Sequence, residues 1–167
     1  VKRVRKDATV FAYLGDGAAY SIGIAETLHS AVRNENITVI TVNNGVFGMT
    51  GGQMAPTTLD GQVTSSTPGG RDPARAGHPI HVEDLMGKLD IAYLARGALN
   101  SVPNIRRAKQ YIKKAFMKQQ QGLGYSYVEL LSPCPTNWGM EPLEALEHIG
   151  GEVLKVYPAG EFIDREG

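Results

Sequence analysis

Ala8-Thr9-Val10-Phe11-Ala12-Tyr13-Leu14-Gly15-Asp16-Gly17 and, further on, Ile37-Thr38-Val39-Ile40-Thr41-Val42-Asn43-Asn44-Gly45 are the stretches whose reading decides the fold. Each opens as a short run of apolar, β-branched and aromatic residues and stops abruptly at a glycine-containing turn. Residues 8–14 and 37–42 are therefore expected as strands buried on both faces, as in a parallel sheet. Between them Ile22, Ala25, Leu28, Ala31 and Val32 recur at spacings of three and four, which predicts a helix over 19–32. Asn34 and Asn36 break that stripe. Strand, helix and strand make a βαβ unit whose crossover should be right-handed.

Downstream, residues 45–79 show neither helical nor strand period and are crowded with Gly, Thr, Ser and Pro; a loop that long inside a compact domain is usually functional. A short helix is expected over 81–89 and a third strand over Ile91-Ala92-Tyr93-Leu94-Ala95. Pro103 suits the first turn of an amphipathic helix to residue 120, with Ile105, Ala108, Ile112, Ala115 and Phe116 as its inner stripe. Gly122 and Gly124 end it, residues 125–131 form a fourth strand, 132–140 a second irregular loop, and 141–149 a last short helix with Pro142 at its start. Strands alternating with helices predict an α/β fold, residues 1–167 forming one domain with a mostly parallel sheet and helices on both faces. Ligands in such sheets sit beyond the carboxyl ends of the strands.

Composition narrows the function. A chain of 167 residues buries roughly 70% of its unfolded surface, enough for one hydrophobic core. Seventeen Lys and Arg balance 17 Asp and Glu, which leaves no basic footprint for nucleic acid, and 42% apolar residues exclude disorder. No apolar stretch approaches the roughly 18 residues of a spanning helix, so a cytoplasmic protein that binds neither nucleic acid nor membrane is the expectation. The basic start Val1-Lys2-Arg3-Val4-Arg5-Lys6 has no methionine and no signal-peptide apolar run; it reads as the last turn of a helix and predicts a fragment of a longer chain. Twenty glycines, where average usage of about 7% would give about a dozen, cluster as they do when backbone must approach something closely. The single cysteine, Cys134, cannot form an internal disulfide.

In a parallel sheet the ends of the first two strands lie on one edge, so Asp16 and Asn44 are expected near one another. A carboxylate and an amide oxygen beside a helix N-terminus suit Mg²⁺, and the N–H groups of Gly17, Ala18 and Ala19 suit a phosphate. Two rivals fail on inspection. A nicotinamide dinucleotide fingerprint needs a glycine where Tyr20 stands and an acid where Asn43 and Asn44 stand. A P-loop needs Ser or Thr after Gly87-Lys88, where Leu89 stands. A plain tight turn and helix cap at Gly15-Asp16-Gly17 stays open.

Gly15-Asp16-Gly17 followed 28 positions after Asp16 by Asn44 resembles the thiamine diphosphate motif. Gly45-Val46-Phe47-Gly48-Met49-Thr50-Gly51-Gly52-Gln53-Met54-Ala55-Pro56-Thr57-Thr58 and Ser132-Pro133-Cys134-Pro135-Thr136-Asn137-Trp138-Gly139 resemble the β subunits of 2-oxoacid:ferredoxin oxidoreductases, particularly those acting on 2-oxoisovalerate or 2-oxoglutarate. The resemblance implies Mg²⁺ held by the side-chain oxygens of Asp16 and Asn44 and the carbonyl of Val46. It implies a diphosphate against Gly15, Gly17 and Ala18, and the rest of the cofactor along Phe47, Gly48, Met49 and Thr50. It also implies oxidative decarboxylation of the 2-oxoacid, acyl transfer to coenzyme A, electrons passed to ferredoxin, and α-, γ- and δ-type partner subunits, one of which carries the acid that activates the cofactor. Cys134 matches the last of four thiolates on a [4Fe–4S] cluster, but the chain has no second cysteine, so a cluster requires cysteines supplied from outside it. Without the resemblance, Phe47 and Met49 read as core packing and Cys134 as a small buried hydrophobe.

Three further features carry weaker signals. His78, His81 and Glu83 have some look of a zinc site, against which stand Pro79 and the lack of cysteines. Arg71-Asp72-Pro73 offers an arginine for a 2-oxoacid or a neighbouring subunit, and Trp138 an anchor for its loop. Two other function classes remain: a thiamine-dependent decarboxylase or carboligase without ferredoxin, and a non-catalytic phosphate-binding module.

Overall fold

The computed structural model describes residues 1–166; Gly167, the end of the expected domain, lies outside the described residues. Residues Val1–Arg5 make a hydrogen-bonded turn in which the Arg5 N–H donates to the Val1 carbonyl. Strand β1 (Phe11–Gly15) leads into a π-helical turn (Ala18–Ile22) and helix α1 (Ile24–Val32), and β2 (Thr38–Asn43) follows. The expected helix is thus interrupted. The Gly23 N–H donates to the Ala18 carbonyl, and a side chain at Gly23 would meet that oxygen at 2.8 Å.

The long segment after β2 is not structureless. It holds the two-residue strands β3 (Val46–Phe47) and β4 (Gln53–Met54), paired antiparallel, and the single-turn helix α2 (Pro73–Ala76). Elements of two to four residues are too short to show a period in sequence. Helix α3 (Val82–Met86), strand β5 (Tyr93–Ala98), helix α4 (Val102–Gln120) and strand β6 (Ser126–Leu131) come next. Ser101 caps α4 by accepting from the Asn104 N–H, and Pro103 lies in the first turn, as its fixed φ favours. Helix α5 (Pro135–Trp138) precedes α6 (Pro142–His148), which runs on through a second π-helical turn (Ile149–Val153) into α7 (Leu154–Val156). The last helix therefore extends well past the expected residue 149.

Five strands form the main sheet in the order β1-β2-β6-β5-β7, with β1, β2, β6 and β5 parallel. The fifth, β7 (Gly160–Asp164), pairs antiparallel with β5 across a register shift at Leu94/Ala95. Sequence periodicity does not reveal β7, because it is an edge strand with acids at Glu161 and Asp164. Lys114 and Lys118 of α4 hold Asp164 at 2.9 and 2.8 Å, and the Tyr93 hydroxyl donates to Glu161 at 2.6 Å.

Helices cover both sides. Val39, Leu94 and Tyr127 pack with Tyr20, Ala31, Val82 and Met86 under α1 and α3, while Ile40, Tyr93, Ala95, Val128 and Leu130 pack with Ala108, Tyr111 and Ala115 under α4. The expectation that the first strand is buried on both faces is corrected: β1 is an edge strand, and Phe11 and Tyr13 are 57% and 67% exposed. The inner strand β2 fits the expectation, with five of its six residues buried. The third strand also shifts from 91–95 to 93–98, so it contains Arg96, a charge that the paired acids described below allow inside the sheet. No helix among the described residues is long and apolar enough to cross a membrane.

Candidate functional site

The loops that follow β1, β2 and β6 meet beyond the carboxyl edge of the sheet and line an open cavity of about 560 Å³. Its walls include all ten residues marked from the sequence: Gly15, Asp16, Gly17 and Ala18 from the first loop, and Asn44, Val46, Phe47, Gly48, Met49 and Thr50 from the second. Cys134, Thr136 and Asn137 close the third side. The sequence marks Cys134 there; Thr136 and Asn137 are additions.

Asp16 is buried, and its Oδ2 accepts from the Thr57 hydroxyl. Burial pushes its carboxyl up to about 6, with hydrogen bonds from Thr57 and the Gly17 N–H pulling the other way. Among the described residues no lysine, arginine or histidine forms an ion pair with it. A desolvated carboxylate without a cation, facing the same cavity as an asparagine amide, is a donor set that fits a hard divalent ion. No three His, Cys, Asp or Glu side chains converge on a metal position among the described residues. His78 turns instead to Asp60 at 2.7 Å, and His81 to Glu83 at 3.4 Å.

The second loop owes its shape to one glycine. Gly45 has φ +70°, a left-handed conformation that reverses the chain between Asn44 and Val46. The Asn43 Oδ1 accepts from the Gly45 N–H at 3.1 Å, the Asn44 Oδ1 from the Val46 N–H at 3.2 Å, and the Thr58 hydroxyl donates to the Gly45 carbonyl at 2.5 Å. Gly17 needs its missing side chain for a different reason: a Cβ there would meet the Phe47 ring at 2.3 Å. The close neighbour of Gly17 is thus an aromatic ring of the second loop. Gly48 lies among Asn44, Asn137 and Cys134, and Met49 is fully exposed, so neither flanks an apolar core as an unmarked Met would.

The third loop is fastened to the second. Trp138 donates through Nε1 to the Asn44 carbonyl at 3.0 Å, and Asn137 donates to the Gly48 carbonyl at 3.2 Å and to the Cys134 Sγ at 3.2 Å. Trp138 is therefore an anchor, but one that fixes a proposed metal-ligand loop. Arg71 is buried inside the long segment, its guanidinium donating to the carbonyls of Thr58 at 2.8 Å, His78 and Gly77 at 2.9 Å and Pro56 at 3.0 Å. That use of its donors ties the loop to itself, which corrects the expectation that Arg71 meets a 2-oxoacid or a neighbouring subunit.

Sequence reasoning missed Thr57, Thr58, Tyr20 and Glu129. Glu129 and its partner Arg96 had a visible signal, since each is a single charge inside an otherwise apolar strand run. A buried charge of that kind requires a partner.

The family model for thiamine pyrophosphate enzymes, C-terminal TPP binding domain, matches residues 1–129. The chain is 46% identical over 166 residues to the ketoisovalerate oxidoreductase subunit VorA of Methanothermobacter thermautotrophicus, covering 99% of this chain and 35% of that protein. It is 32% identical over 149 residues to the 2-oxoglutarate synthase subunit KorB of Archaeoglobus fulgidus, covering 89% of this chain and 52% of the relative. The chain thus spans between about a third and about half of these relatives' length. In fold it is similar to a solved 2-oxoglutarate:ferredoxin oxidoreductase from Magnetococcus marinus, with a TM-score of 0.67 at 21% identity, covering 99% of this chain and 60% of the other.

Proposed function

Because the chain belongs to the thiamine pyrophosphate enzyme family, as a C-terminal TPP-binding domain, we propose that its cavity holds thiamine diphosphate through Mg²⁺ as the β-type subunit of a 2-oxoacid:ferredoxin oxidoreductase. The observation that carries the reading is the buried Asp16 carboxylate, which has no protein cation among the described residues and shares its cavity with Asn44, Val46 and every other residue the motif marks. Asp16, Asn44 and the Val46 carbonyl would hold Mg²⁺; Gly15, Gly17 and Ala18 would lie along the diphosphate; Phe47, Gly48, Met49 and Thr50 would line the remainder.

When bound, thiamine diphosphate supplies a nucleophilic carbon and an electron sink for decarboxylation of a 2-oxoacid. This chain's own contribution is to bind and orient. Thr57 keeps a hydroxyl on Asp16, Gly45 turns Asn44 and Val46 toward one cavity, and Phe47 packs against Gly17 of the first loop. The proposed overall reaction converts the 2-oxoacid to acyl-CoA with reduction of ferredoxin, in assembly with α-, γ- and δ-type subunits. The identity to relatives named for ketoisovalerate, higher than to those named for 2-oxoglutarate, supports the branched 2-oxoisovalerate as substrate. Cys134 opens on the cavity and would be the fourth ligand of a [4Fe–4S] cluster whose other three cysteines come from outside residues 1–167.

The test is a thermal-shift titration of the chain assembled with its partner subunits, using thiamine diphosphate with and without Mg²⁺. A Mg²⁺-dependent stabilisation abolished by Asp16→Ala is expected, together with viologen reduction driven by 2-oxoisovalerate. Stabilisation that ignores Mg²⁺, or that survives Asp16→Ala, would overturn the site.

A further inference from the structure

We infer that Glu129 is a positioning residue, a buried brace that fixes the separation of the two loops carrying Asp16 and Asn44. The inference deepens the cofactor reading and rests on it. Glu129 lies fully buried in β6, level with Thr41 of β2 and Arg96 of β5. One of its carboxylate oxygens, Oε1, accepts from both loops: from the Tyr20 hydroxyl at 2.8 Å, in the turn that follows Gly17, and from the Asn43 Nδ2 at 3.1 Å, immediately before Asn44. The Asn43 Oδ1 then holds the Gly45 N–H, so the brace continues into the left-handed turn that presents Asn44 and Val46.

The other oxygen, Oε2, accepts from the Arg96 Nε, and Arg96 is held in turn by Glu83, donating to its Oε1 at 2.9 Å. Burial works against the charge of Glu83, but the Arg96 hydrogen bonds keep its carboxyl below the usual range. The Arg96 guanidinium also lies 5.0 Å from the centre of the Tyr157 ring. Tyr157 donates through its hydroxyl to the Thr57 carbonyl at 3.0 Å, and Thr57 donates to Asp16. The Asp16 turn, the Asn44 turn and Thr57, which holds Asp16, are thus all connected to one buried ion pair, through Tyr20, Asn43 and Tyr157 respectively.

Stability alone does not require this arrangement. Well-packed apolar residues in place of a buried ion pair are often neutral or stabilising, because desolvation offsets the attraction. What an apolar replacement lacks is an acceptor that two loops share. Burial raises the Tyr20 hydroxyl well above its ordinary range, Glu129 adding to the effect, so Tyr20 remains a proton donor at all working pH values.

The experiment compares Tyr20→Phe and Glu129→Gln with Val128→Ala, a neighbour on the opposite face of β6, in the complex assembled with its partner subunits. Calorimetric titration with thiamine diphosphate and Mg²⁺ is read beside the melting temperature of the unliganded complex and amide hydrogen exchange. Tyr20→Phe and Glu129→Gln should weaken binding about 10- to 100-fold, the range seen when partners of metal ligands are removed. They should also speed exchange at the Gly45 amide while Leu94 and Val128 stay protected. Val128→Ala should lower the melting temperature and leave affinity unchanged. Affinity lost by all three variants only in step with melting temperature, or unchanged binding and exchange in Tyr20→Phe and Glu129→Gln, would overturn the brace. If the unaltered complex fails to bind, the cofactor reading falls, and exchange at Gly45 alone decides the bracing role.

Discussion

On the α4 side of the sheet Ile40, Tyr93, Ala95, Val128 and Leu130 meet Ala108, Tyr111 and Ala115 in an apolar layer. On the opposite side the same three strands, β2, β5 and β6, present Thr41, Asn43, Arg96, Tyr127 and Glu129, whose polar atoms bond to one another and to Tyr20. Because side chains alternate along a strand, adjacent residues are committed to different tasks. One face supplies burial, which is non-directional. The other adds, to an apolar layer of Val39 and Leu94 under α1 and α3, hydrogen bonds, which fix distances, and it lies beneath the loops that need them. The difference teaches that stability can be lowered from the α4 face without disturbing the site, whereas a change on the other face reaches both.

Breaking the polar face should cost most. Arg96→Met leaves Glu129 and Glu83 without their cation, and a buried pair broken on one side costs about 3–5 kcal/mol, readable as a large fall in the denaturation midpoint. The apolar face should answer with a similar or smaller loss but no change in binding: Ile40→Ala should destabilise by about 2–5 kcal/mol and leave the affinity for thiamine diphosphate intact.

Asp16→Asn should act in the opposite direction. The Asp16 carboxyl is raised from 3.8 to about 6, so its folded form holds a proton that the unfolded form has already released. The stability tied to that proton is complete below pH 4 and is lost as pH rises through 6. At neutral pH the ionised carboxylate therefore costs the unliganded protein at most about 3 kcal/mol. The asparagine variant should melt higher than the unaltered protein above pH 6, match it below pH 4, and lose all Mg²⁺-dependent stabilisation. Equal melting temperatures across that window would contradict the burial of Asp16. The smallest effect sharpens the comparison on the apolar side: Gly97→Ala would bring its Cβ to 2.8 Å from the Ala108 Cβ, and overpacking of this kind costs about 1–3 kcal/mol, with binding again unaltered.

Much of this arrangement was legible in the residues. Strand ends at Gly15-Asp16-Gly17 and Asn43-Asn44-Gly45 announce the cavity, because a parallel sheet brings both to one edge, and the ten motif residues do share it. The edge position of β1 was not legible: the apolar run Ala8–Leu14 looks the same whether or not a neighbour covers it. Nor is the true end of β5 at Ala98 legible: Arg96 reads as the close of an apolar run, whereas Glu129 and Glu83 make a guanidinium acceptable inside it. Thr57 was hidden for a related reason. Its role depends on a loop without period folding back on Asp16, a contact across 41 positions that no local pattern records.

The hydrogen bond from the Trp138 indole to the Asn44 carbonyl gives the molecule an optical property. Trp138 is the only tryptophan of the chain, so its fluorescence arises from one place, the seam between the loop that carries Asn44 and the loop that carries Cys134. An indole whose N–H is held by a carbonyl emits differently from one whose N–H faces water. The emission of this chain is thus a native, label-free signal of whether those two loops are joined.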